Sequence, residues 1–137
     1  MKTVTINTEE TRALGAQIAA AAKSGDCFVL EGDLGAGKTE FVRGFVSSIS
    51  PSAMVKSPSF SILNIYETGR FPVYHFDFYR LSGAVELFEI GFDEYISGPG
   101  VCLIEWGTMF PEVLPQGAKI IKFRDIGVVG REIEMEE

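Results

Sequence analysis

Residues 32–39 of this 137-residue chain read GDLGAGKT, a G-x-x-x-x-G-K-[ST] pattern whose residue types suit the binding of a phosphate. Gly32, Gly35 and Gly37 let the backbone turn tightly and bring N–H groups up to an anion without side-chain obstruction. Asp33, Leu34 and Ala36 complete the cradle between them, and Glu40 follows it directly. Lys38 is placed to reach the β/γ-phosphates of a nucleotide, and the Thr39 hydroxyl to ligate Mg²⁺. This chemistry requires a strand before the loop and a helix after it. The helix then aims its unpaired N–H groups and positive dipole end at the same anion.

A site of this kind also needs a carboxylate at the end of a neighbouring strand, to hold Mg²⁺ or order water. Two acids follow apolar runs, Asp77 after VYHF and Glu105 after VCLI. VCLI has the cleaner parallel-strand pattern, so Glu105 is expected on the Mg²⁺ side, with Asp77 the other candidate acid. Which of them lies closer to the metal stays open. Period-two alternation puts His75 and Asp77 on one strand face and Tyr74, Phe76 and Phe78 on the other. A lone histidine in such a strand reads as a structural group. Trp106, the only tryptophan, directly follows Glu105 and is a candidate for the nucleotide site. SPSFS at 57–61 offers hydroxyls where the switch loops of such proteins sit.

The elements that must position these residues are readable from pattern. Phe28, Val29 and Leu30 form the strand before the loop, and a helix begins near Gly37 with Phe41, Val42, Phe45, Val46 and Ile49 on its apolar face. Ahead of them, a strand over 2–6 leads into a helix capped by Asn7 or Thr8 and running to about Lys23. Asn7 and Glu10 resemble a capping box, and Leu14, Ile18 and Ala21 or Ala22 form the buried stripe. Strands over 60–66 and 72–78 are expected to pair as a hairpin, followed by helical segments over 84–90 and 91–96. Val101 to Ile104 is the strongest remaining buried strand, and 119–123 with 132–135 form a second hairpin around Gly127 and Gly130.

The length fits one domain over 1–137, and 46% hydrophobic with 23% charged residues is an ordinary soluble composition. No apolar run approaches the ~18 residues of a membrane span, and the N-terminus lacks the apolar core of a signal peptide, so a cytoplasmic protein is expected. Cys27 and Cys102 each sit in an apolar run and read as buried, reduced thiols. A net charge of −7 argues against strong binding to bare nucleic acid.

Five segments together resemble the TsaE (YjeE) family, the small P-loop ATPases of bacterial tRNA threonylcarbamoyladenosine biosynthesis. They are GDLGAGKT, SPSFSILNIY, HFDFYRL, ELFEIGFDEYI and LIEW, covering about the middle two-thirds of the chain in order and spacing. The resemblance implies an α/β fold of P-loop NTPase type, with a central parallel sheet flanked by antiparallel strands and helices. It also implies ATP with Mg²⁺ and work with the partners TsaB and TsaD, tRNA being met only through that complex. Arg43 and Arg80 lack the loop setting of an evident arginine finger, so slow hydrolysis without a partner is expected. By position the resemblance puts Lys38 and Thr39 on phosphate and Mg²⁺, Glu105 on the Mg²⁺ side, Asp77 as the second essential acid and Trp106 at the nucleotide. The 57–61 segment would be switch-like. Glu40 stands where the family often has a second hydroxyl residue. The competing readings are a small P-loop kinase and a nucleotide-gated binding module. A GTPase would need an N-K-x-D motif, and Asn64 is followed by Ile65.

Overall fold

The computed structural model describes residues 1–33, 35–51, 55 and 62–136. Leu34 and the 57–61 segment therefore lie outside the described residues. In chain order the strands are β1 (Lys2–Thr5), β2 (Cys27–Glu31), β3 (Leu63–Tyr66), β4 (Val73–Asp77), β5 (Val101–Glu105), β6 (Lys119–Asp125) and β7 (Arg131–Met135). The helices are α1 (Thr8–Ala21), α2 (Lys38–Ile49), α3 (Val85–Glu89) and α4 (Phe92–Ile96). The strands form one sheet in the order β1-β7-β6-β2-β5-β4-β3. β6, β2, β5 and β4 run parallel, while β7 and β1 on one side and β3 on the other are added antiparallel. This is the expected parallel centre with antiparallel flanks.

Burial on both faces explains why β2 and β5 read as continuous apolar runs. One face carries Phe28, Leu30, Val73, Leu103 and Ile121 against α1 and α2, with Phe28 packed edge-on to Phe45 and Phe41 to Phe123. The other carries Val29, Phe76 and Ile104 against the segment of α3 and α4, where Phe76 meets Phe92 edge-on. Cys27 and Cys102 are register partners on β2 and β5, buried and unbridged, and burial pushes both thiols up to about 12. Among the described residues no helix is long and apolar enough to cross a membrane.

Local chemistry sets the element ends. The Asn7 side chain accepts the Glu10 N–H at 2.8 Å, while the Glu10 carboxylate accepts the Ile6 N–H at 3.0 Å, one residue earlier than in a regular capping box. α1 stops at Ala21, short of the expected Lys23, because Ala22 is already extended. The burial of Ala22 places it, not the exposed Ala21, in the core. β4 likewise stops at Asp77, and Phe78 opens a 3₁₀ turn (Phe78–Arg80) with its ring still in the core. At the far edge the Met1 amino group donates to the Met135 carbonyl at 2.8 Å, beside the β1–β7 pairing.

α1 and α2 cross at glycines. A Cβ on Gly44 would overlap the Arg12 carbonyl oxygen, and one on Gly15 the Phe41 carbonyl oxygen. Both obstacles are helix backbone, which cannot rotate away. Gly44→Ala is therefore expected to force the helices apart and destabilise the fold by about 1–3 kcal/mol despite the better helix propensity of alanine. Urea unfolding would read this as a lower midpoint at unchanged slope, and an unchanged midpoint would contradict the close crossing.

Candidate active site at the ends of the parallel strands

Parallel strands deliver their C-terminal ends to one side of the sheet, which is where open α/β sheets place their ligand crevices. Here β2, β5 and β4 are adjacent, and their register aligns Leu30 with Glu105 and Glu105 with Asp77. The glycine-rich loop leaves β2 at this same end and turns into α2 through Gly37, whose φ of 105° is left-handed and suits a residue without a Cβ.

Lys38, the first residue of α2, is buried with 4% exposure. Its Nζ donates to the Gly32 carbonyl at 2.5 Å, stands 4.0 Å from Glu105 Oε1, and lies 4.2 Å from the centre of the Trp106 ring. Burial lowers the Lys38 pKa, against the opposing pull of Glu105, Glu31, Asp77 and Asp33. Glu105 is buried too, and its Oε2 lies 2.6 Å from Nε2 of the fully buried His75. Asp77 is half-buried and caps the 3₁₀ turn by accepting the Tyr79 N–H at 3.0 Å. Burial raises the Asp77 pKa and Glu105 adds to the rise, while the Tyr79 N–H, His75 and Lys38 oppose it.

Trp106 has φ 61°, a left-handed conformation uncommon for a large residue. Alternation puts the residue after Glu105 on the opposite sheet face, and Trp106 packs there against the cluster of Val29, Phe76 and Ile104. Its ring also meets Lys38 and Tyr79, whose ring centre is 5.0 Å away. The turn is held by Gly107, buried against Val29, and by the Thr108 N–H donating to Glu31 Oε1 at 3.0 Å.

The strand ends thus bring Lys38, Asp77, Glu105 and Trp106 together beside the Gly32 carbonyl, with the half-buried Thr39 next in α2. Ala36 is buried, Asp33 and Gly35 are exposed, and Leu34 lies outside the described residues. Glu40 is half-buried and ion-paired. Its carboxylate pairs with Arg12 at 2.6 Å and Arg43 at 3.2 Å.

Two residues of this region were not singled out from the sequence as part of the site. His75 shares its strand face with Asp77, but its contact with Glu105 depends on how β4 pairs with β5. Arg131, from β7, donates through Nε to the Gly35 carbonyl at 3.2 Å across 96 residues of chain, and no local pattern signals that contact. Beside it, a cleft of about 220 Å³ opens between the glycine-rich loop and the β1–α1 junction, lined by Thr5, Thr11, Gly37, Glu40 and Arg131 among others.

The raised Asp77 pKa has a measurable consequence. A carboxyl whose folded pKa lies above its unfolded value lets the folded state bind more protons, so stability falls as pH rises through that interval. Asp77→Asn keeps an acceptor for the Tyr79 N–H and removes the charge. It is expected to raise the melting temperature at neutral pH, with the gain vanishing as pH falls below the ordinary aspartate value of about 3.9. Thermal melts of both proteins across that range would check this, and a lower melting temperature for Asp77→Asn at neutral pH would contradict it.

Comparison with known proteins agrees with this architecture. The family model described as threonylcarbamoyl adenosine biosynthesis protein TsaE matches residues 5–133. The tRNA threonylcarbamoyladenosine biosynthesis protein TsaE of Bacillus subtilis (strain 168) is 45% identical over 133 residues, spanning 97% of this chain and 83% of the relative. The Treponema pallidum (strain Nichols) protein of the same name is 36% identical over 133 residues, spanning 97% and 98%. The crystal structure of Bacillus subtilis YdiB superposes with a TM-score of 0.81 at 42% identity, covering 97% of this chain and 82% of that one. With the family model spanning nearly the whole chain and close relatives of matching length, the chain belongs to the TsaE family of tRNA threonylcarbamoyladenosine biosynthesis.

Proposed function

We propose that the chain binds ATP with Mg²⁺ at the glycine-rich loop and hydrolyses it slowly, as a component of the tRNA threonylcarbamoyladenosine machinery acting with TsaB and TsaD. The observation that carries this reading is the placement of Lys38. A buried ammonium stands at the first turn of α2, between the Gly32 carbonyl and the Glu105 carboxylate, beside the N–H groups of the helix start. Phosphate oxygens entering there would meet a positive group that is already partly desolvated.

The donor set fits Mg²⁺. Among the described residues no cluster of three or more His, Cys, Asp or Glu could hold a metal by protein ligands alone. Mg²⁺ is commonly held by one or two carboxylates with waters and substrate phosphates. Thr39 and Glu105 would hold it here, and it would supply charge neutralisation across the phosphates. Asp77, register partner of Glu105, would order the attacking water. The cleft beside Gly37, Glu40 and Arg131 would take the nucleoside end.

Slow turnover follows from how the nearby arginines are used. Fast hydrolysis calls for a positive group on the transition state, worth roughly 10³–10⁵ in rate. Arg43 is paired with Glu40, Arg131 donates to the Gly35 carbonyl, and Arg80 is exposed at the end of its 3₁₀ turn. A partner is therefore expected to complete the site, and the acidic chain, at net charge −7, would meet tRNA through that complex in the cytoplasm.

Calorimetry with ATP and steady-state hydrolysis, alone and with both partners, test the reading. Lys38→Ala is expected to lose at least tenfold in ATP affinity while keeping its circular dichroism. Glu105→Ala should lose the Mg²⁺-dependent part of binding, and Asp77→Ala should bind ATP and fail in turnover. Wild-type affinity in Lys38→Ala, or rapid turnover by the chain alone, would overturn the assignment.

A further inference from the structure

His75 is fully buried, and among the described residues its Nδ1 has no hydrogen-bond partner. The polar contact of the ring is the one from Nε2 to Glu105 Oε2 at 2.6 Å. Burying an imidazole costs free energy that this contact must offset, so its position in the core makes sense through Glu105. The two carboxylate oxygens have different surroundings. Oε2 meets His75, while Oε1 faces the Lys38 ammonium at 4.0 Å, on the side of the glycine-rich loop.

We propose that His75 is a positioning residue: its Nε2–H bond to Oε2 fixes the Glu105 carboxylate so that Oε1 is presented to the mouth of the loop. The proposal rests on the reading of Glu105 as the Mg²⁺-side acid. A glutamate has three side-chain torsions, and a buried one can keep a metal-facing oxygen in place only if something holds the other oxygen. The register makes His75 available for this. It pairs with Leu103, two residues before Glu105 and on the same sheet face, so its ring lies one diagonal step from the carboxylate. Lys38 cannot serve equally, because its proposed task draws its ammonium toward phosphate.

The test compares ATP affinity by calorimetry with Mg²⁺ and with a chelator, in the full-length chain. The ratio of the two affinities is the metal-dependent part of binding. His75→Leu removes the donor at similar bulk. His75→Gln can place its amide nitrogen near the position of imidazole Nε2, and His75→Asn is too short to reach. His75→Leu and His75→Asn are expected to lose about 10–100-fold in the metal-dependent ratio with the metal-free affinity retained, and His75→Gln to recover most of it. If His75→Leu does not fold, the comparison of His75→Gln with His75→Asn decides, and equal ratios for the two overturn the proposal. A wild-type ratio in His75→Leu, or parallel losses with and without metal, also overturns it. Glu105→Gln separates the two layers. If Glu105→Gln abolishes the metal-dependent ratio while the His75 variants do not, positioning fails and the metal reading stands. If Glu105→Gln keeps the ratio, the metal reading itself fails.

Discussion

A carboxylate taken out of water must be compensated, and Glu105 is 93% buried, with 7% exposure. Its surroundings follow from that requirement. His75 on the neighbouring strand meets one oxygen and Lys38 at the start of α2 faces the other, so a strand, its neighbour and a helix are tied to a single side chain. A buried ion pair of this kind is weak evidence for stability, since desolvation can match or exceed the Coulombic gain. Its arrangement makes better sense as a prepared site. The parallel sheet is what permits it, because adjacent parallel strands end together and place Glu105 opposite Asp77.

Charge and stability pull against each other here. Burial lowers the pKa of Lys38 and raises that of Asp77, so the charged form of each is disfavoured relative to water. Trp106 adds a left-handed backbone angle to the same few residues. Such costs gather where a protein binds or reacts and are offset by packing elsewhere. Beneath the site, Phe28, Leu30, Val73 and Leu103 form an apolar layer with low exposure throughout.

Much of the fold was legible because its signals are local. The glycine spacing, the apolar runs ending in Glu105 and Asp77, and the helix stripes depend on residues a few positions apart. Trp106 was legible as a neighbour of Glu105, but its left-handed backbone and the contact of its ring with Lys38 were not, since Lys38 lies far away in the chain. His75 was read as structural, as a lone histidine in an apolar strand, and its contact with Glu105 was not legible because that partner lies 30 residues away on a strand whose register no local pattern fixes. The Arg131 contact with Gly35 depends on β7 folding back across the sheet, and the reading of Glu40 did not include its pairing with Arg12 and Arg43.

The pairing of β1 with β7 has a temporal side. β1 is an edge strand, and among the described residues its neighbour in the sheet is β7. During synthesis, then, β1 waits for β7, which is made much later, with Val4 exposed in the finished fold and less sheltered before it. The glycine-rich loop shares this delay, because the arginine holding the Gly35 carbonyl also arrives with β7. Nascent chains therefore have β2 and α2 available well before the brace on the loop exists. Long-range closures of this sort slow folding and leave edges open to mispairing in the meantime. The loop is thus synthesised well before the contact that secures it.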